Sequence, residues 1–363
     1  MNSKSEKALA GGWNSVAEIN IDAIRHNLWV LREYAGPNIK QMAVIKADAY
    51  GHGAAKVGRF IESDVDWIGV YQVREGAELR KKGVEKPILV FGTPTEQNRE
   101  YYLDFNLTAT VSDFAHFSIL LPGTSYHIKF DTGMGRVGFL PEMLDDVQKA
   151  IESEQLLRYT GLMTHFANSE VPGSSIFESQ KRHFERIVAQ LGDGVLVHAS
   201  NSGATMHQSD VAYDMIRNGT AIYGFDPNGV YNPSLKPALT WISKLVQVRK
   251  MPKGSGVSYN HTWHMPEDGY VGIIPVGYAD GINRSLSNKM KVEINGKEYP
   301  QVGKVTMDQI MVYLGSDECN VGDEVLILGG TGSCSAYAWA DLLGTITYEV
   351  TCAIGNRVKR VYI

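Results

Sequence analysis

The stretch Ala43-Val-Ile-Lys46-Ala-Asp-Ala-Tyr50-Gly-His-Gly53 places a lysine at the end of an apolar run and before a glycine-punctuated loop. Residues 42–45 have the β-prone side chains of a buried strand, and the glycines allow tight turns and a close approach of the backbone to a ligand. A lysine at such a strand end is partly desolvated, which lowers its pKa and suits Schiff-base chemistry with a carbonyl compound. The alternative is a surface lysine whose ammonium group reaches solvent from the strand end.

Strand-like and helix-like segments alternate on both sides of this stretch. The predicted strands are residues 17–21, 42–45, 67–71, 87–91, 127–130, 159–164, 195–198 and 221–224. Such an alternation is typical of βαβ units, which build parallel sheets. About eight strands before residue 225 favour a closed (β/α)8 barrel over an open sheet.

The character of the chain changes beyond residue 227. Residues 228–237 are rich in Asn, Pro and Gly, and short strands joined by turns follow at 245–249, 269–275, 291–294 and 324–328. We therefore predict an α/β protein in which an N-terminal (β/α)8 TIM-type barrel, residues 13–236, precedes a C-terminal mainly β domain, residues 237–363. Residues 1–12 are expected to be a tail or linker.

Composition excludes several classes of function. The 35 basic and 40 acidic residues are interspersed and give a net charge of -5, so nucleic acid is not an expected partner and a small molecule is. Three scattered cysteines fit reduced thiols in the cytoplasm and no metal site. No apolar run is long enough to span a bilayer. The polar start also fits a cytoplasmic domain that follows a membrane domain outside this chain.

Polar clusters stand at or near four of the predicted barrel strands, where barrel enzymes place their active sites. They are residues 131–136, 164–168, 198–202 and 217–220. Taken singly, a histidine there is more often a hydrogen-bonded structural residue, and an arginine often pairs with a carboxylate. Ser202, Gly219 and Thr220 offer backbone and hydroxyl donors that could form a phosphate cradle.

Long strings of this chain resemble the alanine racemase family, which comprises pyridoxal-phosphate-dependent amino-acid racemases. The similarity extends from about residue 14 to the end. Its most specific strings are the Lys46 stretch, Asp131-Thr-Gly-Met-Gly-Arg136, residues 198–202, Gly277-Tyr278-Ala-Asp-Gly281 and Val305-Thr-Met307-Asp308-Gln309. The resemblance implies pyridoxal 5'-phosphate as cofactor, a small amino-acid substrate and a homodimer with shared active sites.

The resemblance also implies individual roles. Lys46 would bind the cofactor and serve as the base on one face of the substrate, with Tyr278 of the partner subunit as the base on the other face. The cofactor would further be held by Tyr50, Arg136, His165, Ser202, Arg217, Gly219 and Thr220. Substrate contacts would come from Arg136, Met307 and Asn356, and supporting contacts from Lys129, His198 and Asp308.

Two of these roles carry a chemical expectation. Arg217 would face the pyridine nitrogen, and a guanidinium keeps its proton, so the ring would be a weaker electron sink than a pyridinium and proton exchange would be favoured over transamination. Lys129 stands where the family often carries a carbamylated lysine that holds the arginine at position 136.

Asn356 departs from the family pattern, because alanine racemases carry there a tyrosine that bonds the phosphate and bounds the substrate pocket. An amide in place of an aromatic wall leaves more room and can satisfy a substrate hydroxyl. We therefore hypothesise that serine is a substrate, as in the soluble racemase domain of the membrane-bound serine racemases of vancomycin resistance, which this chain resembles. The alternative is an ordinary alanine racemase with little serine activity, in which Asn356 is a neutral replacement.

Three other functions stay open at this point. A pyridoxal-phosphate amino-acid decarboxylase could share the barrel-plus-β-domain plan, but it would lack the Tyr278 string. A non-enzymatic pyridoxal-phosphate carrier would resemble the barrel alone, and residues 237–363 argue against it. A sugar-phosphate barrel enzyme without a cofactor is the third.

Overall fold

Strands and helices alternate along the first two thirds of the chain in the computed structural model, which describes residues 3–208 and 210–363. The strands of this part are β1 (Ser15–Ile19), β2 (Lys40–Val44), β3 (Trp67–Val70), β4 (Ile88–Val90), β5 (Leu107–Val111), β6 (Ser125–Lys129), β7 (Arg158–Met163), β8 (Leu196–His198) and β9 (Met215–Asn218). The helices are α1 (Ser3–Ala10), α2 (Ile21–Ala35), the one-turn α3 (Lys46–Tyr50), α4 (Ala54–Ile61), α5 (Val73–Lys81), α6 (Arg99–Asp104), α7 (Ala115–Ile119), α8 (Leu144–Ser153), α9 (Ser175–Leu191) and α10 (Ser202–His207). Short 3-10 helices span Glu62–Asp64, Pro141–Met143 and Thr220–Tyr223.

Within the described residues, strands β2 to β9 form one parallel sheet in the order β8-β7-β6-β5-β4-β3-β2-β9. The sheet curls until its two edge strands, β8 and β9, lie side by side. Two backbone hydrogen bonds cross this seam, one from the Asp214 N–H to the Val197 carbonyl (3.0 Å) and one from the Arg217 N–H to the Ser200 carbonyl (2.9 Å). The predicted barrel class is therefore confirmed.

The barrel is built from a slightly different set of strands than the sequence predicted. Strands β5 and β9 were not predicted, and residues 221–224, expected as a strand, lie largely in the 3-10 helix Thr220–Tyr223. The predicted strand at 17–21 exists as β1, but it pairs with strands of the second domain. Strand β9 ends in Arg-Asn, so its polar end resembles a loop in sequence although the site end of a barrel accepts such side chains.

The rest of the chain is mainly β-structure, as predicted. Its strands are β10 (Leu239–Lys244), β11 (Gln247–Met251), β12 (Gly256–Val257), β13 (Trp263–His264), β14 (Gly269–Ile274), β15 (Lys291–Ile294), β16 (Lys297–Pro300), β17 (Ile310–Gly315), β18 (Glu324–Leu328) and β19 (Lys359–Tyr362). Two helices, α11 (Ala336–Leu343) and α12 (Thr347–Cys352), and 3-10 turns at Tyr259–His261 and Arg284–Leu286 complete it. The largest sheet has the order β16-β15-β18-β10-β1-β19, and a second has the order β11-β14-β17.

Residues 3–10 are helical, whereas a tail or linker was expected over residues 1–12, of which residues 1 and 2 lie outside the described part of the chain. Helix α1 covers Ser3–Ala10, and Leu9 is only 5% exposed because it packs with Val16, Ile242 and Val361. Burial of that leucine gives the segment a reason to fold against the large sheet. Strand β1 pairs with β10 and β19, so this helix and β1 pack with strands of the C-terminal part of the chain.

A small apolar cluster fills the barrel interior. Buried Met42, Leu89, Met163 and Met215 come from four different strands and contact one another there. Such a packed interior leaves the carboxyl ends of the strands as the open face of the barrel. Among the described residues, no helix has the length and apolarity that crossing a membrane requires.

Candidate active site

Lys46 begins a turn at the end of β2 whose backbone is left-handed. The four residues that follow it, Ala47 to Tyr50, have φ angles between +52° and +55°, the left-handed region. For residues with a side chain this conformation costs about 1–2 kcal/mol each, and such strain is typical of functional sites that the surrounding structure holds in place. The glycines do supply part of the irregular backbone, as sequence reasoning expected, with φ +86° at Gly51 and +93° at Gly53, but four residues with side chains precede them in the same region.

Side chains of the same loop hold the turn. The Ala54 N–H donates to Asp48 Oδ1 (2.8 Å), and His52 Nδ1 lies 3.0 Å from the Ala49 carbonyl and 3.1 Å from the Tyr50 carbonyl. His52 is fully buried, and burial lowers its pKa to about 4, so the ring is neutral and donates from Nδ1 to these carbonyls. The turn therefore presents Lys46 and Tyr50 to the same side.

A cavity of about 640 Å³ opens at the carboxyl ends of the barrel strands, and Lys46 lines it. This volume suits a cofactor with a small substrate. The predicted cofactor-binding residues all line the same cavity: Tyr50, Arg136, His165, Ser202, Arg217, Gly219 and Thr220. Lys129 also lines it, and His198 lies directly behind Arg217.

One corner of the cavity is suited to a phosphate group. The Gly219 N–H donates to Ser202 Oγ (3.0 Å), and the hydroxyl of Tyr50 packs so closely on Gly219 that a Cβ there would lie 2.5 Å from it. The hydroxyl of Thr220 is buried and has no hydrogen-bond partner within the described residues. Burial raises the pKa of Tyr50, which keeps its hydroxyl a donor. Two donor hydroxyls and a tight backbone therefore converge where an anion fits.

Arg217 is held rigidly behind the centre of the cavity. Its guanidinium donates to the carbonyls of Thr164 (2.8 Å) and Ala199 (3.0 Å) and to His198 Nδ1 (3.0 Å), with a longer contact of 3.4 Å to His165 Nδ1. Burial lowers its pKa to about 9, which leaves it protonated at neutral pH. The group can thus donate a further hydrogen bond but does not release its proton.

Two buried histidines behind Arg217 hold it in place. His198 Nε2 lies 2.8 Å from His127 Nδ1, and both rings are fully buried. Burial, followed by the charge of Arg217, lowers the pKa of His127 to about 3 and that of His198 well below its usual value. Because Arg217 donates to Nδ1 of His198, the His198 proton resides on Nε2 and is donated to His127. His198 therefore lies behind Arg217 and accepts a hydrogen bond from its guanidinium.

The cavity carries an excess of positive charge. Burial and then Arg136 lower the pKa of Lys46, and burial, Arg136 and Arg217 lower that of Lys129 to about 8. The loop that carries Arg136 is fixed by Asp131, whose carboxylate accepts four consecutive backbone N–H groups from residues 133–136 at 2.5–3.0 Å. Such a site attracts anionic ligands, and it favours a neutral, nucleophilic lysine.

Tyr278 and the Met307 loop lie outside this cavity. Tyr278 is 42% exposed and Met307 52% exposed, and the two loops pair through the Tyr278 N–H and the Thr306 carbonyl (3.0 Å). Arg357 joins the same loops by ion pairs to Asp280 (3.3 Å) and Asp308 (2.8 Å). One chain therefore does not bring Tyr278, Met307 and Asp308 to Lys46, and it presents them together on its surface.

Asn356 also lies apart from the cavity that was expected to contain it. It is exposed and borders a surface recess with Trp13, Asp48 and Lys359. The aromatic wall beside Tyr50 is instead Tyr348, whose ring centroid lies 6.0 Å away, and sequence reasoning missed it. Its position in the same C-terminal string as Asn356 was the available signal.

Comparison with known proteins agrees with the geometry. The family model described as "Alanine racemase, N-terminal domain" matches residues 19–227, and "Alanine racemase, C-terminal domain" matches residues 238–362. This chain belongs to the alanine racemase family. The alanine racemase of Cutibacterium acnes is 38% identical to it over 367 residues, which cover 96% of this chain and 98% of the relative.

Solved structures of alanine racemases share the whole fold. The alanine racemase of Clostridium difficile 630 superimposes with a TM-score of 0.91 at 34% identity and covers 96% of both chains. That of Bartonella henselae, solved with covalently bound pyridoxal phosphate, has a TM-score of 0.88 at 27% identity, over 96% of this chain and 99% of its own. The predicted family, fold class and pyridoxal-phosphate dependence are thereby confirmed.

Proposed function

We propose that this racemase interconverts the L and D forms of a small amino acid, alanine and also serine, by a two-base mechanism. The observation that carries the proposal is the cavity in which Lys46 faces two arginines and an anion-binding corner. Arginines select the carboxylate of an amino acid, and the corner selects the phosphate of the cofactor. Lys46 is the amine placed to bind the carbonyl carbon of pyridoxal phosphate.

The roles of the remaining groups follow from their positions. Bound pyridoxal phosphate supplies an electron sink that acidifies the α-C–H bond of the amino acid. Tyr50, Ser202 and Thr220 would hold its phosphate, and Arg217 would donate to its ring nitrogen without releasing a proton. Arg136 would bind the substrate carboxylate and the phenolic oxygen of the cofactor.

Racemisation requires a proton to leave one face of the α-carbon and another to arrive at the opposite face. Burial and Arg136 lower the pKa of Lys46, which favours the neutral amine that takes the proton on one face. Tyr278 of the partner subunit serves the other face, and His165 orients its hydroxyl. We infer a homodimer with shared active sites because the exposed loops of Tyr278 and Met307 are held as a unit without contributing to their own cavity.

Mixed dimers test both the bases and the sharing of sites. Lys46→Ala and Tyr278→Phe homodimers should each be inactive, whereas an equimolar mixture refolded together should recover about a quarter of wild-type activity, since half of its dimers contain one intact site of two. In the matched control, Lys46→Ala is mixed with the Lys46→Ala/Tyr278→Phe double variant and recovers nothing. Dimers that form without recovery of activity would show that Tyr278 does not act across an interface.

Serine turnover has a narrower basis. Asn356 replaces the family tyrosine and lies between two relevant loops: it shares a recess with Asp48, and the neighbouring Gly355 N–H donates to the Asp280 carbonyl (2.9 Å) in the Tyr278 loop. In the single chain Asn356 lies outside the Lys46 cavity, so this proposal requires these loops to move toward the bound substrate. A polar amide there would offer a partner to a substrate hydroxyl, which can change selectivity by orders of magnitude. We therefore infer that Asn356 favours serine relative to alanine.

The ratio of kcat/KM for L-serine to that for L-alanine tests this inference. Asn356→Tyr should lower the ratio at least about tenfold, because the amide partner of the hydroxyl is lost. Asn320→Tyr, a change of an exposed asparagine elsewhere in the β domain, should leave it unchanged. An unaltered ratio in Asn356→Tyr would contradict the role of Asn356 and favour an ordinary alanine racemase.

The other enzyme and carrier functions are distinguished by product. A decarboxylase releases carbon dioxide from the amino acid, and a carrier binds cofactor without exchanging the α-proton of alanine in heavy water. The racemase should exchange that proton and produce both enantiomers, with no carbon dioxide.

A further inference from the structure

Glu75 connects the Lys46 turn to the neighbouring strand end. The N–H of Ala47, the residue next to Lys46, donates to Glu75 Oε1 at 2.7 Å. The other carboxylate oxygen, Oε2, accepts the N–H groups of Tyr71 and Gln72, both at 2.9 Å. A single side chain on helix α5 therefore receives three backbone donors and fastens the loop after β2 to the loop after β3.

This contact acts on the strained part of the turn. Ala47 is the first residue in the left-handed region, with φ +52° and ψ +52°. Hydrogen bonds to a charged acceptor are worth about twice a neutral one, so the bond to Glu75 offsets much of the cost of a left-handed alanine. The direction in which Lys46 leaves the strand end depends on that conformation.

The charge of the Glu75 carboxylate also raises the pKa of Lys46, against burial and Arg136. Burial and Arg136 lower the pKa of Lys46, whereas Glu75 and, less strongly, Cys352 raise it. The ammonium of Lys129 stands near enough for the two lysines to interact.

We propose that Glu75 is a positioning residue for Lys46, which holds Ala47 in the left-handed conformation and thereby aims the lysine amine into the cavity. The proposal rests on the proposed function of Lys46 as the cofactor-binding lysine and base. Glutamine cannot replace Glu75, because its amide nitrogen would meet backbone N–H groups that need an acceptor.

Glu75→Gln tests the proposal, with Glu78→Gln on the exposed side of the same helix as the matched control. In the cofactor-free full chain, the rate of acetic anhydride labelling of Lys46 is followed against pH by peptide mass spectrometry. Glu75→Gln should move the labelling midpoint to lower pH, because an opposite charge that raises the pKa of Lys46 is lost. It should also weaken pyridoxal phosphate binding at least about tenfold, while Glu78→Gln changes neither.

Ala47→Gly separates conformation from charge. Glycine adopts positive φ at little cost, so Glu75→Gln/Ala47→Gly should regain part of the cofactor affinity but keep the lowered labelling midpoint. If Glu75→Gln does not fold, Glu75→Asp keeps the charge but shortens the reach. Glu75→Asp should then have the wild-type labelling midpoint of Lys46 and bind pyridoxal phosphate at least about fivefold more weakly than Glu78→Asp.

The outcomes separate this proposal from the function on which it rests. If the wild-type protein racemises its substrate but the Glu75 and Glu78 variants show equal labelling midpoints and equal cofactor affinities, the role of Glu75 alone is overturned. A wild-type chain in which borohydride fixes no cofactor on Lys46 would instead overturn the proposed function.

Discussion

Gly219→Ala should cost the protein much of its affinity for pyridoxal phosphate. A Cβ at position 219 would lie 2.5 Å from the hydroxyl oxygen of Tyr50, whereas ordinary contact begins at 3.4 Å, so about 0.9 Å of displacement is required. Tyr50 has little room to give, since its ring packs against Tyr223 (centroids 5.0 Å apart) and Tyr348 (6.0 Å). The hydroxyl must therefore leave the phosphate corner.

The magnitude follows from one lost hydrogen bond to a charged group, about 1.5–3 kcal/mol, or a roughly 10- to 150-fold rise in Kd. The assay is titration of the cofactor-free protein with pyridoxal phosphate, followed by absorbance. Gly332→Ala is the control, because its Cβ would meet nothing closer than 3.9 Å. Tyr50→Phe should already lose the same bond, so adding Gly219→Ala to it should cost little more. A Gly219→Ala protein that binds within twofold of wild type would refute the reasoning.

Three further predictions concern stability. Lys129 has a pKa of about 8 in the folded chain against 10.5 when unfolded, so its buried ammonium destabilises the fold fully below pH 8 and progressively less as the pH rises toward 10.5. In denaturant unfolding of the cofactor-free protein, the free energy of unfolding of wild type should therefore rise by up to about 3 kcal/mol relative to that of Lys129→Met between pH 8 and 10.5. Parallel pH profiles of the two proteins would contradict this. Leu9→Ala should lower the free energy of unfolding by about 2–3 kcal/mol, whereas a true tail would show no change. Gly296→Ala, at φ +79° with open space around it, should cost about 1 kcal/mol from backbone strain alone, which thermal unfolding would detect.

Local patterns in the sequence predicted much of the fold and of the site. The strand before Lys46 and the strand at Glu324–Leu328 are found within a residue or two of the expected bounds, because an uninterrupted run of β-prone residues is a local property. The meeting of Ser202, Gly219 and Thr220 in one cavity was predicted for a similar reason: they follow or border strands, and a parallel barrel gathers all of its strand ends on one face.

What the sequence did not predict depends on contacts between distant segments. Strand β5 reads Leu-Thr-Ala-Thr-Val, with two threonines that are buried only because neighbouring strands and helices cover them. The pairing of β1 with β10 is set by residues far away in the chain, and no local periodicity encodes it. The left-handed turn after Lys46 was likewise hidden, because alanine, aspartate and tyrosine do not favour that conformation by themselves.

The position of β1 has a consequence for how the chain acquires its structure during synthesis. Glu18 pairs with Thr240 on one side and with Val361 on the other, so the barrel is nested within a domain whose largest sheet needs residues from both sides of it. Strand β1 is translated more than two hundred residues before its partner β10, so its edges stay unpaired over that interval. All of the strands β2 to β9 lie between residues 40 and 218, so the strands of the barrel are complete before β10 and β19 are made. Loss of β19 would expose an edge of β1 and leave a template for wrong pairing.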